Sequence, residues 1–372
     1  MINEDAVRSY LMKHFRGALS VDIRRLGSGV QGSGFLVELN TLKGIKSYVV
    51  KSLATEGFGH DYSSDRAAVF LLDLDEFNVL PRHVRAIDVL AEMEDGSVKS
   101  VGGGKEYYLL MEKGEGIDYF QDLHGFSRKG NLDDLDIDRI EAMTSYLAEI
   151  HSVKKDSRTL YWRKLRDTVG HGECLMGVLD LYPDGTLSDE EMTSIIKKSV
   201  DRGYKLKPGF RRLSQIHGDF HPGNIWFKTA DSRQSTVGSR SPRKSKPQNY
   251  KLETQSDFIL LDRSRGPWGE PADDITALTI NYIFFSIKYH GTVKGPYLEA
   301  LELFYEDYVR RSGDKEIFSV VQLFYAFRGV VVANPVFYPD ITSTQRNMIF
   351  RFIDNVLDAD GFEPEKVNEY LK

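Results

Sequence analysis

Cysteine is almost absent from this sequence, with Cys174 the only one in 372 residues. That excludes an intrachain disulfide and a zinc site built from several thiolates, and it fits a reducing, cytoplasmic setting. Long apolar runs are missing as well. The longest, TALTINYIFFSI at 276–287, carries an asparagine and falls well short of the roughly 20 residues a membrane helix needs. The first residues, MINEDAVRSYLMKHF, are acidic at once, so no secretory leader and no membrane partner are expected. Excess positive charge is lacking too. A net charge of −6, from 49 Lys/Arg against 55 Asp/Glu, speaks against a nucleic-acid partner. The exception is the segment 229–256, where six basic residues face two acidic ones and apolar residues are scarce. Such a stretch buries too little to offset its ordering entropy, so a disordered basic insertion is expected there.

What is present divides in two. The first third reads as short strands, DIRRLGSGV, GFLVELNT and KSYVVKSL, followed by a helix, SSDRAAVFLLDLDEF, capped by Ser63 or Ser64. Two more strands, VRAIDVLAEME and KEYYLLMEKGEG, complete a small antiparallel sheet. From Asp118 the pattern turns helical. Ile137, Ile140, Met143, Leu147 and Ile150 mark one helix face, and Ser188 with Glu191 forms a capping box. Aromatic residues after Ile275, among them Tyr282, Phe284, Phe304, Tyr325 and Phe327, are expected in the core. The expected organisation is a sheet-rich part at 1–113 and a helical part at 114–372 that contains the insertion.

The densest chemistry lies in IHGDFHPGNIWF, residues 216–227. A polar turn would explain the crowding. However, His217, Asp219 and Asn224 also have the H-x-D-x-x-x-x-N spacing of a phosphotransferase loop. There a carboxylate orients the attacking hydroxyl, and an amide oxygen holds Mg²⁺ nearby. His217 is expected to brace the loop, while His221 has no assigned role. Downstream, FILLDRSRG reads as a buried strand ending in Asp262, a second oxygen ligand for the metal. Upstream, Gly27, Gly29 and Gly32 stand in G-x-G-x-x-G order between two strands. A strand rather than a helix follows, so a hairpin over nucleotide phosphates is expected instead of a dinucleotide fold. Lys51, on the next strand, can reach those phosphates.

Together these elements resemble the aminoglycoside phosphotransferase and choline kinase-like family. The likeness runs from about Leu26 to Ile275 and includes the ordered set Asp262, Gly269, Glu270, Pro271 and Asp274. The resemblance implies an α+β, protein-kinase-like fold with a small antiparallel-sheet lobe and a larger helical lobe. It implies Asp219 as catalytic base, Asn224 and Asp262 as Mg²⁺ ligands, Lys51 as phosphate clamp and Glu112 at the hinge. Asp274 is implied as a structural brace of the loop. The sequence departs from the family where the lysine's helix partner, normally glutamate, would be Asp65, followed by Arg66.

The implied activity is transfer of the γ-phosphate of ATP or GTP, with Mg²⁺, to a hydroxyl of a small-molecule acceptor. On that reading Asp219→Ala abolishes turnover and leaves folding intact. Two other readings stand beside it. One is a protein serine/threonine kinase that modifies its own insertion at Ser239 or Ser241, beside Arg240 and Arg243. The other is a nucleotide-binding regulator without transfer activity. The acceptor is open between two signals. Glu299, Glu302, Glu306 and Asp307 offer an acidic pocket or a solvated helix face. Arg263 and Arg265 suit an anionic acceptor, or else pair with Asp273 or Glu270.

Overall fold

Short runs of buried apolar residues organise the N-terminal part. In β2 (Gly32–Thr41) Phe35, Leu36, Val37 and Leu39 are buried, and Val49 and Val50 are buried in β3 (Gly44–Leu53). In this computed structural model, residues 2–29, 32–54, 63–100, 106–228, 256–263 and 265–372 are described. The insertion expected at 229–256, with Ser239, Arg240, Ser241 and Arg243, therefore lies outside the described residues apart from Ser256. The chain divides into two units, Met1–Gly114 and Glu115–Lys372.

The first unit holds one six-stranded sheet. With β1 (Ala18–Ser28), β4 (Ala86–Glu92), β5 (Val98–Ser100) and β6 (Glu106–Glu112), its order is β1-β2-β3-β6-β4-β5, antiparallel throughout. Helix α1 (Glu4–His14), capped by Asn3, sends Val7 and Leu11 into a core with Val21, Val37, Val50 and Leu110. Helix α2 (Ser63–Glu76) packs on β4 and β6. Ser63 is its first helical residue, one position inside the expected cap.

The second unit contains two small sheets. β7 (Ile117–Asp118), β9 (Ile225–Phe227) and β10 (Phe258–Leu260) form one, and β8 (Ser214–Gln215) with β11 (Trp268–Gly269) forms the other. Around them stand α3 (Phe120–Phe126), α4 (Asp134–Ser152), α5 (Arg158–Gly170), α6 (Leu175–Leu179) and α7 (Asp189–Leu206). Then follow α8 (Pro271–His290), α9 (Pro296–Ser312), α10 (Val321–Ala333) and α11 (Ser343–Asp358). The Ser188–Glu191 capping box is present in both directions, at 3.2 and 2.8 Å. Helix α8 is buried at every position from 271 to 287 and packs against α9 and α10, so the late aromatics are core as expected. The chain is an α+β protein with a sheet unit and a larger helical unit. No helix among the described residues is long and apolar enough to cross a membrane.

The glycine cluster is not uniform. A Cβ on Gly32 would meet the Ser52 carbonyl oxygen at 2.0 Å, because β2 and β3 approach closely where Gly32 faces Leu53. Gly27 and Gly29 have nothing within 4 Å. Gly32→Ala is therefore expected to destabilise the protein by about 1–3 kcal/mol through overpacking. Gly29→Ala should shift stability by under about 0.5 kcal/mol. Urea unfolding of both variants checks the contrast, and equal effects would refute it.

Candidate active site

The site is built on the first turn of α8. Pro271 takes the first helical position and Asp273 and Asp274 follow, where acidic side chains suit the positive end of the helix dipole. Asp274 is fully buried. Its Oδ2 accepts the His217 N–H and its Oδ1 the Gly218 N–H, both at 2.7 Å. His151 Nε2, from α4, stands 3.2 Å from Oδ2. One carboxylate thus holds two successive backbone amides. Gly218, at φ +86°, then turns the chain in a left-handed conformation that a side chain would strain, and Asp219 follows.

Asp219 does not stand alone. Its Oδ1 accepts from Arg265 Nη1 and from Arg328 Nη1, each at 2.7 Å. Arg328, from α10, also donates through Nη2 to the Gly218 carbonyl at 3.0 Å and to Asp273 Oδ1 at 2.6 Å. Lys164 of α5 reaches the other oxygen of Asp273 at 2.6 Å. The result is a buried ionic chain, Lys164–Asp273–Arg328–Asp219–Arg265. Burial opposes ionisation of Asp219, yet Arg265 and Arg328 outweigh it and hold the carboxyl well below the usual carboxylate range. The ring of Phe327 lies under both guanidiniums, at 5.3 Å from Arg265 and 4.5 Å from Arg328.

Past Asp219 the loop closes through a 3₁₀ turn, Pro222–Asn224, capped by His221, whose Nδ1 accepts the Gly223 N–H. His221 Nε2 is 3.8 Å from Asp219 Oδ2. The Asn224 side chain donates from Nδ2 to the Asp219 carbonyl at 3.0 Å, which presents its oxygen as the remaining acceptor. The Asn224 carbonyl accepts the Leu261 N–H at 2.9 Å, so Asp262 follows directly after a residue bonded to Asn224. β10 ends at Leu260, two residues short of the expected strand end. Asp262 adopts φ +57°, a left-handed conformation that is costly for a non-glycine residue and typical of functional positions. An amide oxygen and a carboxylate on adjoining segments are hard donors of the kind Mg²⁺ takes together with phosphate oxygens and water. Among the described residues, no cluster of three or more His, Cys, Asp or Glu suits a metal.

The remaining sequence candidates sit in the first unit. Gly27 is on β1, Gly29 donates its N–H to the Gly32 carbonyl across the hairpin, and Lys51 is on β3 opposite Gly34. Asp65 is in the first turn of α2, and Glu112 closes β6 two residues before the division of the chain.

One expectation changes. The pairing of Arg263 or Arg265 with Asp273 or Glu270 is replaced by other partners. Arg263, 1% exposed, donates to the carbonyls of Ile216 and Pro267, tying the loop to the segment before α8. Arg265 binds Asp219 itself, while Glu270 is taken by Arg212 and Tyr161. Two of the four acidic residues of α9 are engaged within the fold. Asp307 is buried against Thr144 and Arg311, and Glu299 accepts the Leu132 N–H. A cavity of about 510 Å³ lies beside the loop, lined by Phe120, Gly223, Trp226, Phe285 and Tyr338 among others. Phe120 packs on His221, and burial together with the charge of Asp219 pushes the Tyr338 hydroxyl up to about 12.

Sequence reasoning missed Arg328, Lys164 and His151. Arg328 had a signal, being the one charge in the otherwise apolar run VQLFYAFRGVVVA. Lys164 and His151 had none.

No protein-family model matches the chain, and no curated protein matches it either. Among solved structures it resembles an aminoglycoside phosphotransferase from Streptomyces rimosus, with 14% identity, 87% of this chain and 97% of that one covered, and a TM-score of 0.49. A choline kinase from Cryptosporidium parvum gives 13% identity, 99% and 92% coverage, and a TM-score of 0.47. An ethanolamine kinase from Plasmodium vivax gives 9% identity, 97% and 84% coverage, and a TM-score of 0.46.

Two outcomes follow from the buried charges. Burial lowers the His217 pKa to about 4, against the opposing pull of Asp274 and Asp219. The unfolded chain then binds a proton at this site below its ordinary pKa of about 6.5, whereas the folded chain does so only near 4. Stability should fall by about 3 kcal/mol as pH drops through that window, and stop falling on its account below it. Urea titrations between pH 7.5 and 4 should show a flatter curve for His217→Asn than for the native chain. Arg328→Met strands Asp273 and Asp219 with one cation each, and is expected to cost about 3–5 kcal/mol in the same assay at pH 7.

Proposed function

We propose that the chain is a kinase that transfers the γ-phosphate of ATP or GTP, with Mg²⁺, to a hydroxyl of a small molecule. The observation that carries this reading is the state of Asp219. It is a carboxylate on a braced loop, one oxygen committed to two guanidiniums, Arg265 and Arg328, with Asn224 and Asp262 on adjoining backbone.

Asp219 Oδ2 would accept the hydrogen bond of the acceptor hydroxyl and aim its lone pair at the γ-phosphorus. As the new P–O bond forms, the bond to the bridging oxygen breaks and the nucleoside diphosphate leaves. The hydroxyl proton passes to Oδ2, late, because the carboxyl is a weak base. Asn224 Oδ1 and Asp262 would hold Mg²⁺, which when bound neutralises charge on the transferring phosphoryl group. In the first unit, Lys51 and the glycine pattern Gly27, Gly29 and Gly32 would, on the sequence reading, bind nucleotide phosphates.

Asp219→Asn is expected to lower kcat by about 10²- to 10⁴-fold, read as nucleotide consumed per folded enzyme. A cost to folding is expected as well, because Arg265 and Arg328 lose their shared counter-charge. The folded fraction must therefore be measured alongside, by near-ultraviolet circular dichroism. Asn224→Ala leaves those ion pairs in place and should weaken Mg²⁺-dependent nucleotide binding. Full turnover by folded Asp219→Asn protein would sink the assignment.

A further inference from the structure

The two arginines on Asp219 are not equivalent. Arg328 commits both terminal nitrogens, Nη1 to Asp219 and Nη2 to Gly218 and Asp273. Arg265 commits one. Among the described residues its only hydrogen bond runs from Nη1 to Asp219 Oδ1, and its buried Nε meets no acceptor. The side chain is 9% exposed, so water does little to satisfy it. What is left is the Nε–Nη2 edge, two parallel donors in the spacing that matches a carboxylate or phosphate bidentately. A guanidinium held at the base of a phosphoryl-transfer loop with that edge unused is half of a recognition site.

Resting on the kinase reading above, we propose that Arg265 binds an oxyanion of the acceptor, and that the acceptor is an anionic alcohol. The hydroxyl meets Asp219 Oδ2, while Arg265 is anchored on Oδ1 of the same carboxylate. The two groups it must reach are therefore neighbours, and the carboxylate or phosphate of the acceptor lies only a few bonds from the reacting hydroxyl. Arg265 need not leave Asp219 to bind it. Arg263, the other arginine of the segment, is excluded by its bonds to the Ile216 and Pro267 carbonyls. The competing source of an oxyanion is the nucleotide's own γ-phosphoryl group, and the test separates the two.

The full chain with Mg²⁺ and ATP is assayed on matched alcohols that differ in charge: glycerate, glycerol and serinol, then gluconate, glucose and glucosamine. The native protein should favour the anionic member of a set by about 10- to 100-fold in kcat/KM. Arg265→Gln should collapse that ratio toward unity, and Arg265→Lys should keep part of it. A native preference for the neutral or cationic member overturns the proposal. An equal loss on every acceptor in Arg265→Gln also overturns it, and assigns Arg265 to the nucleotide. Should no member turn over, equilibrium titration with the same sets decides, and anionic members that bind no tighter than neutral ones overturn it. Failure of the kinase reading looks different, because Asp219→Asn would then consume nucleotide as fast as the native protein.

Discussion

Everything in the second unit's chemistry depends on Asp274 accepting two successive backbone amides. A carboxylate with both oxygens taken by His217 and Gly218 N–H groups fixes the plane and direction of the chain at that point. Gly218 can then occupy its left-handed conformation, and the next residue emerges with its side chain turned toward α10. Asp274 can be buried because the helix terminus and the two amides replace its water shell. Helix α8 supplies the rigidity, since its apolar surface is packed on all sides and its first turn has no freedom to drift.

The ionic chain from Lys164 to Arg265 adds a second constraint. Five charges alternate in sign in a nearly dry interior, and each anion has two cationic neighbours. Such a chain is a weak source of net stability, because desolvation offsets most of the attraction. Its effect is geometric. Removing either carboxylate leaves a buried cation with its counter-charge lost, and removing Arg328 cuts the chain into two separate pairs, so the native arrangement is favoured over alternatives. Arg328 matters most here, as it joins the carboxylate beside the brace to the carboxylate of the loop.

The sequence made the local features legible and hid the long-range ones. The Ser188 capping box, the sheet strands and the buried aromatics all follow from neighbours within a few positions, and the structure contains them. Asp219, Asn224 and Asp262 could be picked out because five-residue spacing and a strand nearby constrain them without tertiary knowledge. The partners of Arg263 and Arg265 could not. Electrostatics alone favours the next acids downstream in the chain, Glu270 and Asp273, but these are claimed by Arg212, Lys164 and Arg328 from elements far away in sequence. Gly32 illustrates the same limit. Its place in a glycine pattern suggests phosphate binding, whereas the approach of the Ser52 carbonyl requires glycine regardless of any ligand.

If Asp219 is the catalytic carboxylate proposed above, clamping it between two arginines at first looks self-defeating, because it removes basicity. For phosphoryl transfer the loss is small. The transition state is loose, with little bond formation to the attacking oxygen, so the hydroxyl stays weakly acidic until late and a strong base has nothing to abstract early. What the reaction needs is a fixed acceptor of the hydroxyl's hydrogen bond, in line with the leaving group. Two guanidiniums on Oδ1 would supply that fixity and would leave Oδ2 as the oxygen for an incoming alcohol. They also set the local potential that the alcohol meets. An ammonium group placed beside the hydroxyl would approach Arg265 and be repelled, while a carboxylate there would complete an edge that the protein leaves open. On the proposed reading, the device that would orient the hydroxyl would therefore also sort acceptors by charge.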